Sequence, residues 1–152
     1  MNTKLLMLIL LLIFFNSNAQ VFNWSTDVDS AISISNIENK PMLLIFTDAD
    51  SSKTPMFAQI FNTLDFAIWA RDNVVAVKVD LTDDESNGSL QRSLSLKKAF
   101  RVQELPTIYF VNAKIRKEKI NYELIGQIGI KPGGVKSWIA NAKIVLAGPI
   151  EE

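Results

Sequence analysis

The chain has 152 residues, 48% of them hydrophobic and 21% charged, and its 16 basic side chains balance 16 acidic ones. Enough apolar side chains for a core, with no net charge, exclude a disordered chain and leave no basic surplus to attract nucleic acid. Cysteine and histidine are both absent, which removes disulfides, thiol chemistry, the usual general base and the commonest metal ligand.

The opening residues read as a secretory signal peptide. Lys4 precedes an apolar run from Leu5 to Phe15, and Ser17 and Ala19 stand at −3 and −1 of a cleavage site before Gln20. The run is shorter than the roughly 20 residues a membrane-crossing helix needs. The expected organisation is therefore a signal peptide over 1–19 and one folded domain over 20–152. The product would be exported to the periplasm or the medium, with no membrane span after cleavage.

Thr26 and Asp29 make a capping pair for a first helix whose Val28, Ala31 and Ile32 share one face. Asn39-Lys40-Pro41 ends it. MLLIF (Met42–Phe46) reads as a buried strand, followed by a polar turn and a helix with Phe57, Ile60, Phe61 and Leu64 at helical spacing. LDFAIWARDN (Leu64–Asn73) is a second helical piece. VVAVKVDL (Val74–Leu81) is β-branched and predicts a strand. After a polar loop, Leu90–Phe100 predicts a helix with Leu90, Leu94, Leu96 and Phe100 at spacing four. TIYFVN (Thr107–Asn112) is another buried strand. AKIRKEK (Ala113–Lys119) reads as a charged hairpin loop, with Arg116, Lys117 and Lys119 at its tip. In INYELIGQI, Tyr122, Leu124, Gly126 and Ile128 alternate with Glu123 and Gln127, the pattern of a half-solvated strand. Gly126 fits a bulge or a close backbone approach. A last helix follows KPGG, with Val135, Trp138, Ile139, Ala142, Val145 and Leu146 on one stripe. Trp24, Trp69 and Trp138 are expected to close the edges of the core.

Strands separated by helices imply parallel pairing with right-handed crossovers, and the two closing strands imply an antiparallel hairpin. The fold class is α/β: a three-layer sandwich with a central mixed sheet flanked by helices.

Two segments carry a family resemblance. FTDADSSKTP (Phe46–Pro55) resembles the strand-turn-helix of exported thioredoxin-like proteins, which bears a C-x-x-C motif. Ser52 falls on the first cysteine and Pro55 on the second. FRVQELPTIYFVN (Phe100–Asn112) is similar to the segment in which that family holds a cis proline opposite the motif, and Pro106 falls on that proline. NWSTDVDSAISISNIENKPMLLIF (Asn23–Phe46) also looks like the entry segment of this exported branch. The resemblance implies a thioredoxin-like fold across nearly all of residues 20–152. It does not carry the family's redox activity, because serine neither ionises near neutrality nor forms a disulfide, and proline removes the resolving group.

Four readings of the turn stay open. Asp50, Ser51, Ser52, Thr54 and Pro55 suit a helix start and nothing more. The family likeness implies a non-covalent groove, in which backbone at Leu105, and at Glu104, pairs with an extended peptide or partner protein beside Pro106. Its binding residues would be Ser52, Lys53, Leu105 and Pro106. A third reading makes Ser52 a nucleophile at a helix N-terminus, acting on an anionic or acyl substrate. The fourth is a calcium site from Asp80, Asp83, Asp84 and Glu85. The second is the expected role: a redox-inactive binding or scaffold module with no cofactor, no metal and no catalytic residues.

Overall fold

A computed structural model describes residues 22–148. The signal-peptide reading, over 1–19, lies outside the described residues. The elements are α1 (Val28–Glu38), β1 (Met42–Thr47), a single 3₁₀ turn (Ser51–Lys53), α2 (Pro55–Phe61), α3 (Leu64–Asn73), β2 (Val75–Asp80), α4 (Leu90–Ala99), β3 (Thr107–Arg116), β4 (Lys119–Ile128) and α5 (Gly134–Ala147).

Local chemistry sets the helix ends. Asp27, rather than Thr26, caps α1. Its Oδ1 accepts from the N–H groups of Asp29 and Ser30 at 3.0 and 3.2 Å, and the Ser30 hydroxyl donates to Oδ2 at 2.7 Å. One carboxylate there satisfies two orphan donors. Asn39 closes α1 in the left-handed region at φ 52°, as asparagine tolerates. Thr54 and Thr63 cap α2 and α3 through their hydroxyls.

The sheet order is β2-β1-β3-β4. β1 and β2 are parallel, joined through α2 and α3. β3 is antiparallel to β1, so the expectation that helix-separated strands run parallel fails there. β2 and β3 are not neighbours. Their connection through α4 leaves and re-enters at the same end of the sheet, which reverses the strand. The closing hairpin is antiparallel as expected. Ahead of α1, Ser25 forms a parallel bridge with Val77, extending the sheet beyond β2.

β1 is buried on both faces, and its alternate residues feed two cores. Met42, Leu44 and Phe46 meet α1, Val77, Leu96 and Tyr109 on one side. Leu43 and Ile45 meet α2, α3 and α5 on the other. The second core is aromatic. Phe61, Phe66, Trp69, Phe110 and Trp138 meet at ring separations of 5.0–6.4 Å, mostly edge to face. Trp69 and Trp138 therefore sit inside the core, not at its edges. Trp24 remains half-buried and stacks on Phe66 at 5.5 Å.

Three further expectations change. Leu94 is exposed, and α4 buries Ser93 and Leu96 instead. The charged segment after Asn112 is strand, not loop: β3 runs to Arg116, and the turn is only Lys117 and Glu118, both at positive φ (48° and 62°). That is the backbone of a two-residue hairpin, reached without the usual Asn-Gly or Asp-Gly. The alternation in β4 also breaks. Phe110 pairs with Gly126 but Val111 with Leu124, leaving Ile125 as the extra residue of a bulge. Leu124 is exposed, and Ile125 turns to the aromatic core. Gly126 combines both of its expected roles. It borders the bulge, and a Cβ built there would lie 2.4 Å from Val145 Cγ1 on α5.

Candidate functional site

The candidate site lies where β1 ends and β3 begins. Thr47, the last residue of β1, is fully buried, and its Oγ1 lies 2.8 Å from Ser51 Oγ. Asp48 and Ser51 bracket the turn reciprocally. The Asp48 N–H donates to Ser51 Oγ at 2.9 Å, and the Ser51 N–H donates to Asp48 Oδ1 at 2.8 Å. This is a capping-box exchange with the acid first and the hydroxyl three residues later. Sequence reasoning missed it, although the Asp-x-x-Ser spacing was there to be read. Ser52 N–H donates to Asp48 O at 3.2 Å, and Lys53 N–H to Asp50 O at 3.1 Å. The Thr54 hydroxyl then donates to Ser51 O and accepts from Phe57 N–H, starting α2 at Pro55.

The bracket has an electrostatic consequence. Hydrogen bonds from the Ser51 backbone and then its side chain hold the Asp48 carboxyl below its ordinary value. A depressed folded-state value means stability that is present above the ordinary aspartate range and lost as pH falls through the lowered one. Asp48→Asn is expected to flatten the melting temperature's decline on acidification below about pH 4, the ordinary aspartate value. Thermal melts from pH 6 to pH 2.5 check this; an unchanged acid limb contradicts the bracket.

On the β3 side, the Leu105–Pro106 peptide bond is cis. Phe46 pairs with Thr107, so the same register sets Pro106 across from Thr47. Leu105 is half-buried and packs on the first core, as Phe100 and Leu81 also do. Thr107 Oγ1 donates to Glu104 O at 2.6 Å. Among the described residues, no hydrogen bond engages the N–H of Glu104 or either main-chain group of Leu105.

Of the predicted binding residues, Ser52 and Lys53 thus share one end of the sheet with Leu105 and Pro106. Ser52 is half-buried and Lys53 exposed. Ser52 Oγ donates to Ala49 O at 3.4 Å. The acidic loop does not converge. Asp80 Oδ1 accepts from the N–H and hydroxyl of Thr82, and Asp84 Oδ1 from Ser86 N–H. No group of three His, Cys, Asp or Glu side chains placed to hold a metal ion exists among the described residues. No helix among them is long and apolar enough to cross a membrane.

No protein-family model matches the chain, and no curated protein matches it. Solved structures do. One titled DsbH oxidoreductase superposes with a TM-score of 0.68 at 22% identity, covering 83% of this chain and 85% of its own. The solution structure of a thioredoxin from Thermus thermophilus gives 0.62 at 13% identity, covering 84% and 88%. The protein is therefore a thioredoxin-fold protein without a single cysteine, in which the atoms that exchange disulfides are missing.

Proposed function

We propose that this protein is an exported, non-covalent binder of extended polypeptide. The irregular segment Glu104–Leu105, just ahead of β3 and beside Pro106 and the 51–53 turn, is the edge it offers. The observation that carries the reading is the unpaired N–H of Glu104 and the unpaired N–H and C=O of Leu105, at the sheet end where Thr47 and Ser51 are already bonded to each other. An extended segment laid against free main-chain donors and acceptors gains hydrogen bonds without any thiol. The buried side of Leu105 keeps that edge fixed on the core, so little ordering cost falls on the protein. A nucleophilic Ser52 needs a base to accept its proton; here its hydroxyl donates a hydrogen bond to the Ala49 carbonyl, which is no base, and this favours binding over catalysis.

The export half of the proposal rests on residues 1–19. It predicts that the protein recovered from the periplasm or the medium begins at Gln20.

Binding is tested with a permanently unfolded, cysteine-blocked polypeptide such as reduced, carboxymethylated α-lactalbumin. Fluorescence anisotropy of the labelled probe should show saturable binding. Leu105→Pro removes the free N–H and should weaken it at least tenfold, or about 1.4 kcal/mol, while circular dichroism confirms an intact fold. Equal affinity for the folded variant and the parent overturns the assignment of this edge.

A further inference from the structure

We propose that the free edge of β4 pairs antiparallel with β4 of a second copy, about a two-fold axis at Asn121. β4 is the outer strand of the sheet, with no strand beyond it among the described residues. The two-residue turn at Lys117–Glu118 fixes which of its backbone groups are free. Arg116 and Lys119 flank that turn and are partners, so they form the hydrogen-bonded pair of the hairpin. Bonded and non-bonded pairs alternate along an antiparallel ladder. Asn121 and Glu123 therefore also bond toward β3, and Ile120, Tyr122 and Leu124 direct their N–H and C=O outward.

The side chains select one register. With Asn121 on the axis, Ile120 of each copy meets Tyr122 of the other on the face of the first core. These two outward-facing residues exchange both main-chain hydrogen bonds. On the opposite face, Lys119 of each copy meets Glu123 of the other, giving two complementary charge contacts per dimer. Lys119 has no ion-pair partner among the described residues, and Glu123 has only the exposed Lys114 at 3.1 Å. Moving the axis one residue to Tyr122 sets Lys119 against the bulged Ile125 and loses the charge match. The axis at Asn121 keeps the ladder short of the bulge and of the α5 contact at Gly126.

The same strip is apolar and uncovered. Ile115, opposite Ile120 on β3, is 56% exposed, and Leu124 is 57% exposed. A second copy continues the sheet and brings the two strips side by side. Lys119–Leu124 contains no proline and no inward-pointing charge; the charges it does carry, Lys119 and Glu123, are of opposite sign and complement one another across the proposed axis.

Sedimentation equilibrium on the purified protein decides it. A reversible dimer is expected. Glu123→Lys, an exposed change, should raise its dissociation constant at least tenfold by setting Lys119 against a like charge. Lys119→Glu combined with Glu123→Lys should restore it to within about threefold, since the swapped pair is again complementary. A protein monomeric throughout the concentration series overturns the proposal, whatever other strand the edge takes. So does a dimer indifferent to Glu123→Lys, or one that the double swap does not restore.

Discussion

Trp138→Ala should remove about 3–5 kcal/mol of folding stability, the cost of truncating a fully packed aromatic residue. Trp138 is 3% exposed and its ring meets Phe61, Phe66, Trp69 and Phe110. It holds α5 onto the aromatic core beneath the sheet. The cavity left behind is lined by rigid rings that collapse poorly, so the upper part of the range is expected. Domains of this size have only about 5–15 kcal/mol in total; the variant should therefore unfold at a much lower urea concentration, with an unchanged slope if unfolding stays two-state. A loss under about 1 kcal/mol would mean that α5 does not dock as described.

Gly126→Ala should cost about 1–3 kcal/mol, the range for overpacking a tight site. The added Cβ lies 2.4 Å from Val145 Cγ1. Val145 is branched at Cβ and has few alternative rotamers on a helix, so α5 must shift away from β4. The claim is specific to that pair. In a Val145→Ala background the obstructing methyl is gone, and Gly126→Ala should cost no more than about 0.5 kcal/mol. Equal costs in both backgrounds would place the effect in the bulge backbone instead.

The parts of this fold that were legible in the sequence are those decided locally. LDFAIWARDN is α3 from end to end because Thr63 caps it and Phe66, Trp69 and Ala70 fall on one face. β1 needs only an apolar run between Pro41 and a polar turn. What escaped was decided by partners distant in sequence. The direction of β3 follows from which strand it neighbours, and a helix between β2 and β3 says nothing of that when β1 lies between them. The bulge at Ile125 follows from how β4 must bend to meet α5 at Gly126. A glycine in a strand signals such a feature but not which neighbour turns inward. The Lys117–Glu118 turn carries no turn residue at all, so its left-handed backbone had no local sign.

The site divides in the same way. Ser52, Pro55 and Pro106 were located by motif, and the strand register brings their segments to one end of the sheet. The bracket of Asp48 with Ser51 is what shapes the turn between them. It was overlooked because serines and threonines crowd the segment and each is a plausible cap. The absent sulfur was the plainest signal: it removes one chemistry outright and leaves main-chain recognition as the reading the geometry supports.

That reading is tested most directly by amide hydrogen exchange, residue by residue, with and without the cysteine-blocked polypeptide. Leu105 and Glu104 N–H should exchange rapidly in the free protein and slow at least tenfold when the probe is saturating, while the amide of Lys53, bonded to Asp50, changes little. Protection that appears elsewhere and leaves Leu105 exchanging as before would contradict the account.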